Sequence, residues 1–563
     1  MPDYQLRPYQ QRAADAVRES WDAYDRVLVC SPTGTGKTRI AVSLIAEWDA
    51  VLSQRYGRPG RVLWLAHRDE LIQQAAGEIE EATGVEPGIE KAAQTTAGTL
   101  LKPRVVAASV QTLQNEGRLR AVVPETFGMV VLDEAHHAPA DSFSRILAAF
   151  GHAKILGVTA TTDRTDEIAL GKVFQDCAFD YRLPDAIDDG WCCGIRQQFI
   201  VLDDLDFSGV RVGDGDLSAE DFGRIIQEEG PLHRIARPAV ELAENRQTMV
   251  FCPTVAVTRA LQPIMERYAA KLGRRGVVAA WGAMDEVERG AAVRSYQSGE
   301  AQFLLNCALY VEGFDAPATA HIVIARPTKS RMRYEQMCGR GFRGGRLCPV
   351  EGKTDLLVTD LVGSTLKCKL VHAGDVLGGK YDAVVTDEVN RRCLEKSEGG
   401  EPADVMAELR RVLLEADELR RARRMEVIAE ARYRRRTIDP FVLYDLAEMP
   451  APGWHLDRPP TEAQLRTLQD QKVVTKGLSF FQAEQLIRDM RDRQARGECT
   501  LRQARQLQRF GYSPHLPFDE AKRILDVKLG AQGGKPNRSD FFRWRKRKQQ
   551  QASSARRPDE LPF

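Results

Sequence analysis

The sequence predicts an α/β protein: two tandem parallel-sheet lobes followed by a mostly helical C-terminal region. Short apolar runs at 27–30, 129–132, 249–252, 303–307 and 321–325 read as strands buried on both faces, the mark of a parallel sheet. Apolar-periodic helical stretches, among them 40–48 and 256–268, alternate with these runs. From residue 403 onward helical periodicity takes over. The pattern divides the chain into a first lobe at 1–190 and a second at 191–372. A linker and long charged helix at 373–455, a helical repeat domain at 456–532 and a basic-aromatic tail at 533–563 follow.

The chain's 563 residues suffice for several domains, each with its own core. With 43% hydrophobic and 28% charged residues the composition is that of a soluble globular protein. The formal net charge is +1, so any surface for nucleic acid must be local. No apolar run reaches the length of a membrane span, and the first residues lack a signal peptide's layout. A cytoplasmic protein is expected, bacterial or phage-encoded and nucleoid-associated when bound. Among eleven cysteines no Cys-x-x-Cys pair occurs, and the adjacent Cys192 and Cys193 make a poor zinc chelate. Reduced thiols packed as small hydrophobes are expected, Cys30, Cys252 and Cys307 among them.

The run at 27–30 leads into Ser31-Pro32-Thr33-Gly34-Thr35-Gly36-Lys37-Thr38 and then a helix. Strand, glycine loop and helix in that order form a phosphate-binding loop. Gly34 and Gly36 let backbone N–H groups close around phosphate oxygens, and the helix N-terminus adds its dipole. Lys37 can reach the β- and γ-phosphates and the Thr38 hydroxyl can ligate Mg²⁺. Ser31 stands where such loops carry a first glycine, while the phosphate-contacting part is intact. The run at 129–132 ends in Asp133-Glu134-Ala135-His136. Carboxylates at a strand's C-terminal tip sit where α/β sheets bind ligands. There Asp133 can hold Mg²⁺, and Glu134 can orient and deprotonate the attacking water. Together the two segments make a complete Mg·ATP hydrolysis set.

Upstream, Leu6-Arg7-Pro8-Tyr9-Gln10 opens a helix, where a glutamine amide can read the adenine edge. In the second lobe, Gln336, Arg340 and Arg343 are spaced four and three apart. On a helix they share one face, where two guanidiniums and an amide suit a γ-phosphate.

With these segments in order, the chain resembles the superfamily 2 DEAD/DEAH-box helicases and translocases, whose ATP site lies between two RecA-like lobes. Residues 6–10 resemble the adenine-reading Q motif, which implies nucleotide contact by Arg7 and Gln10 beside Ser31, Gly34, Thr35, Gly36, Lys37 and Thr38. Residues 62–71, with His67 and Arg68, resemble motif Ia; Ser109, Gln111 and Thr112 resemble motif Ib. The resemblance implies that these residues, with Thr254 in the second lobe, grip a nucleic-acid backbone. Thr159 and Thr161 resemble motif III and, with His136, would couple ATP state to that grip. Thr162 departs from the proline many relatives carry. Residues 312–317 resemble motif V, implying nucleotide contact by Gly313 and Asp315, and residues 336–343 resemble motif VI. Lys37, Asp133, Glu134, Gln336, Arg340 and Arg343 are the expected catalytic set, with ATP and Mg²⁺ as cofactors. The wording of the second lobe is most like RadD-type repair helicases and ResIII-like restriction-enzyme motor subunits. The chain lacks the cysteine-rich zinc module of the RadD type.

The region 374–400 reads as a loosely structured linker. A helix spans 403–436, with Val405, Leu409, Val412, Leu419 and Ile428 as its apolar stripe. Thr461-x-x-Gln464-x-x-x-Leu468 recurs as Thr500-x-x-Gln503-x-x-x-Leu507, each followed by a second helical pattern. Thr461 and Thr500 are expected N-caps of two stacked helix pairs. In the tail, Arg543, Trp544 and Arg545 lie in a cluster of cations and aromatics suited to phosphates and unstacked bases. The terminal Asp559-Glu560-Leu561-Pro562-Phe563 resembles the acidic tip of bacterial single-strand-binding proteins, so it or the helical repeats could dock a protein partner.

The expected function is an ATP-dependent helicase or translocase on single-stranded or branched DNA, in replication, repair or recombination. Alternatives are the motor of a restriction or defence complex, an RNA helicase, or a nucleic-acid-binding scaffold with a vestigial ATPase.

Overall fold

The computed structural model describes residues 5–530 except 68, 93, 97–101, 161–167, 203–204, 214–215, 308–315, 345–352, 363–368, 378–380, 382, 434–438, 447–448 and 450–457. The chain forms two units, Met1–Glu415 with Pro452–Leu456, and Ala416–Ala451 with Asp457–Phe563. The first unit holds two seven-stranded sheets, one per lobe.

The first sheet comprises β1 (Arg26–Cys30), β2 (Arg61–Ala66), β3 (Gly88–Glu90), β4 (Val105–Ser109), β5 (Phe127–Asp133), β6 (Lys154–Thr159) and β7 (Asp176–Asp180). Its order is β3-β4-β2-β5-β6-β1-β7, and every pairing is parallel. The apolar runs are continuous because both faces are covered. Val27, Val29, Val62, Trp64, Met129 and Val131 pack into the core on one face, and Leu28, Cys30, Leu63, Leu65, Val130 and Leu132 into that on the other. Since β6 lies between β1 and β5, the residues ending these three strands converge at one edge. Cys30 is level with Thr159, and Asp133 with Val158.

The second sheet contains β8 (Gly194–Val201), β11 (Gln247–Phe251), β12 (Gly276–Trp281), β13 (Ala301–Cys307), β14 (Thr319–Ile324), β15 (Asp355–Val362) and β16 (Ala403–Asp404); β9 (Val212–Gly213) and β10 (Asp216–Leu217) form a separate hairpin. The order is β12-β13-β11-β14-β15-β8-β16, parallel except for the antiparallel β16. Residues 191–230 contribute to this lobe: β8 is an interior strand of the sheet, and Ala219–Ile226 is a helix with Phe222 and Ile226 buried. Alternation of Gln, Arg and Ile in β8 hides its strand character, because Gln197 is buried with its amide on Asp360 at 2.7 Å.

The expected linker at 374–400 is also structured. Residues Ala383–Glu398 form a helix whose Val389 and Cys393 enter the second lobe's core. Ser397 fastens it to β8: its Oγ accepts from Phe199 N at 2.7 Å and its carbonyl from Gln198 Nε2 at 3.2 Å. The long helix Val405–Tyr433 forms as predicted, but its apolar stripe is interrupted at Leu419, and the side chain of Ile428 lies outside the described residues. Val405, Leu409 and Val412 are buried, whereas Leu419 is 62% exposed.

In the second unit the repeat is built as two helix pairs, Glu462–Asp470 with Phe480–Arg496 and Leu501–Arg509 with Phe518–Gly530. Thr461 and Thr500 are N-caps in full capping boxes: each hydroxyl accepts from the backbone N–H of the glutamine three residues on, and that glutamine's side chain accepts in return. Ser479 and Gln482 form a third box. Leu468, Ala483, Leu486, Ala504, Leu507, Ala521 and Leu525 share one core with Phe441 and Tyr444. All described cysteines are free thiols, and no cluster among the described residues could hold a metal ion with three or more His, Cys, Asp or Glu side chains. No helix among the described residues is long and apolar enough to cross a membrane.

Candidate active site

The loop after β1 is shaped by its glycines and braced by its hydroxyls. Gly34 and Gly36 have φ of +86° and +79°, a region open to glycine and strained for other residues. Ser31 Oγ lies 2.6 Å from Thr35 Oγ1, which also donates to Pro32 O at 2.6 Å. The serine that replaces glycine therefore serves as a strut. Ser31 N donates to Thr159 O at 3.1 Å, tying the loop to the end of β6. Lys37 begins the helix Lys37–Glu47 and is 8% exposed, with Thr38 next to it.

The helix Pro8–Trp21 packs its start against this loop. Gln10 Oε1 accepts from Arg7 N at 3.0 Å, while Gln10 Nε2 donates to Thr35 O at 3.0 Å. Tyr9 donates from its hydroxyl to Thr35 O. Arg7 lies over the Trp191 ring at 5.8 Å and lines a cavity of about 260 Å³ with Gly34, Gly36, Arg39, Glu78, Glu81 and Arg343. Arg39, Glu78 and Glu81 sit in no recognisable motif. They reach the cavity because their two helices pack together.

Asp133 ends β5, and Glu134 follows in a left-handed conformation (φ +47°), its N–H on Asp133 Oδ1 at 3.0 Å. Burial, with the charge of Glu134 adding to it, raises the Asp133 carboxyl to about 7. Burial acts in the same direction on Glu134. There the Lys37 charge and the neighbouring His136 and His137 outweigh it, holding that carboxyl at about 2. Glu134 Oε2 is buried without a hydrogen-bond partner, as is Gln336 Nε2 in the second lobe. A buried acceptor and a buried donor left in this state suit a ligand that is itself hydrogen-bonding. With the loop and Lys37 they fit a magnesium nucleotide.

His136 Nδ1 lies 3.2 Å from Thr159 Oγ1, so two of the expected coupling residues touch. The motif Ia and Ib residues also gather, because β2 and β4 are neighbours with Ala66 level with Ser109. Ser109 Oγ donates to Gln111 Oε1 at 2.6 Å and Gln111 Nε2 to His67 O at 2.8 Å. Thr112 Oγ1 instead accepts from Ala92 N at 3.1 Å. Thr254 caps the helix Val255–Lys271, accepting from Val257 N at 3.2 Å. Arg68, Thr161, Gly313, Asp315, Arg543, Trp544, Arg545 and the terminal Asp559–Phe563 segment lie outside the described residues.

Gln336 lies in the helix Arg331–Gly339, but the helical face expected to carry Arg340 and Arg343 does not extend that far. Gly339 is its last residue, Arg340 is the C-cap, and Arg343 pairs with Cys192 in an antiparallel bridge. The Gly-Arg-Gly run breaks the 3.6-residue period, since a Cβ at Gly341 would lie 2.3 Å from Leu356 Cδ1. The chain is thereby pressed against the second sheet. Arg343 nevertheless lies beside the phosphate loop, its Cγ being 3.6 Å from where Gly34 would carry a Cβ.

Residues 3–164 match the model of the family described as type III restriction enzyme, res subunit, and residues 232–345 that of the helicase conserved C-terminal domain. The chain is 28% identical over 411 residues, 70% of its length, to the Saccharomyces cerevisiae protein IRC3, provisionally named as an ATP-dependent helicase. It is 25% identical over 370 residues, 60% of its length, to the type I restriction enzyme EcoAI endonuclease subunit of Escherichia coli. It spans 56% and 44% of the lengths of these two relatives. Among solved structures it is similar to a fragment provisionally assigned as the HsdR subunit of a type I restriction enzyme from Vibrio vulnificus YJ016. There the TM-score is 0.49 and identity 22%, over 63% of this chain and 64% of that one. Two parallel-sheet lobes, a phosphate loop facing paired carboxylates and both family matches lead to one assignment: the chain belongs to the superfamily 2 helicases, with restriction-subunit character in its first lobe.

Proposed function

We propose that the chain is a nucleic-acid-dependent ATPase that translocates on DNA, hydrolysing ATP between its two lobes. The observation that carries this reading is the approach of Arg343, from the second lobe, to Gly34 of the phosphate loop in the first. A cation supplied by one lobe to a phosphate held by the other makes hydrolysis depend on the lobes' closure. Asp133 and Thr38 would hold Mg²⁺, whose charge offsets that of the β- and γ-phosphate oxygens. Lys37 holds the phosphates, Glu134 orients the attacking water through its buried Oε2, and Arg343 with Gln336 meets the charge on the transferred group. The resemblance to IRC3 and to restriction subunits supports a helicase or translocase, and the latter favour DNA as the track. The match to the res-subunit model favours a second reading, the motor of a restriction or defence assembly with its nuclease on another chain.

The test is ATP turnover with and without single-stranded DNA, in the native chain and in Lys37→Ala and Glu134→Gln. Stimulation of the native chain and a loss of at least about 10²-fold in both variants is expected. Turnover that persists in both would refute the site.

A further inference from the structure

His137 stands beside the site without belonging to the set expected from the sequence, and its contacts run both ways. Its Nε2 lies 3.1 Å from His136 Nε2, and its ring centre lies 5.2 Å from that of His67. On the other side of His136, Nδ1 is 3.2 Å from Thr159 Oγ1 and 3.4 Å from Glu134 Oε2, with no formed hydrogen bond to the carboxylate. The His136 side chain is 4% exposed, so its two nitrogens are met by protein groups rather than by water.

The two nitrogens of His136 are therefore unequal. A lone pair on Nδ1 would face a carboxylate oxygen at 3.4 Å, which favours a proton on Nδ1, while Thr159 Oγ1 at 3.2 Å can serve either tautomer, so the partner of Nε2 decides between them. With the proton on Nδ1, Nε2 of a neutral imidazole is an acceptor, and the group 3.1 Å away must be a donor. That donor is His137 Nε2–H. We propose that His137 is a positioning residue: by donating to His136 it fixes the tautomer that points Nδ1–H at Glu134 and Thr159. Through its contact with His67 it also relays occupancy of the nucleic-acid face to the hydrolytic carboxylate. The second half of this proposal rests on the function proposed above; the first rests on the geometry alone.

His67 is placed to receive such a signal. It is exposed, and its carbonyl is held by Gln111, which in turn is held by Ser109. A strand pressing on this turn therefore pushes on the ring beside His137. A histidine in the wrong tautomer cannot do its work even with its geometry intact.

Two measurements test this on the full chain. In protein labelled with ¹⁵N-histidine, the imidazole resonances of His136, assigned by their loss in His136→Gln, are expected to report the Nδ1–H tautomer. In His137→Ala they should shift towards the Nε2–H form. An Nε2–H tautomer in the native chain, or no change in His137→Ala, would overturn the proposal. In kinetics, His137→Ala should lower polynucleotide-stimulated turnover about tenfold, the scale of an orienting partner, with the KM for ATP within about twofold. His137→Gln, whose side-chain amide keeps a donor, should recover at least half of the lost rate. Equal loss in both variants, or unaltered stimulation in His137→Ala, would overturn the relay. The tautomer is read without turnover. A chain that hydrolyses no ATP would therefore refute the proposed function, while the spectrum alone decides the role of His137.

Discussion

Gly36 shows how much the site depends on single atoms. Its φ of +79° already disfavours a side chain, and a Cβ would lie 2.8 Å from Gln10 Nε2. Gly36→Ala should therefore displace the Gln10 amide from Thr35 O and spoil the loop. The strain, about 1–2 kcal/mol for a left-handed alanine, is small beside a domain's stability. The variant is expected to fold and to bind a fluorescent ATP analogue at least about tenfold more weakly; native affinity would show that this loop does not hold the phosphates. Lys37, Asp133, Glu134 and the loop glycines were legible in the sequence because strand, turn and helix place them locally. Glu78 and Glu81 were not, because packing of a separate helix carries them to the site. His137 adjoins a recognised motif, but its role depends on a ring brought from β2.

At the scale of elements, the strands with unbroken apolar runs were legible and β8 was not, since its buried Gln197 and Gln198 read as surface. The same holds for the helix Ala383–Glu398, whose charges conceal a narrow buried edge. Helical spacing misplaced Arg343, because two glycines end the helix before it. The capping boxes at Thr461 and Thr500 were legible, being local by nature. Strand β14 supplies a test of burial itself. His321 lies between Thr248 Oγ1 at 3.2 Å and Thr359 Oγ1 at 2.9 Å. Burial, helped by the Arg246 charge, depresses its pKa from 6.5 to about 3. The unfolded chain protonates this histidine near 6.5 while the folded chain does not. Its contribution to stability is therefore present above that pH and lost progressively as pH falls towards about 3. Thermal midpoints of the native chain should fall more steeply over this interval than those of His321→Gln. Parallel slopes would mean that the ring is protonated in the folded state.

At the scale of the whole molecule, the proposed function has two lobes sharing one hydrolytic site controlled by nucleic acid. The two-lobe architecture was legible because each lobe repeats the same alternation of apolar runs and helices. The substrate was not, because a net charge of +1 hides any local basic surface, and motifs Ia and Ib meet a backbone common to DNA and RNA. Only comparison of polymers can separate these. The most direct measurement is steady-state ATP turnover with single-stranded, forked and duplex DNA and with RNA, in parallel, for the native chain and for Glu134→Gln. At least one DNA form is expected to stimulate the native chain well above RNA and above the unstimulated rate, and Glu134→Gln is expected to be inert with all of them. A rate indifferent to every polymer, or a Glu134→Gln variant stimulated like the native chain, would contradict the proposed function.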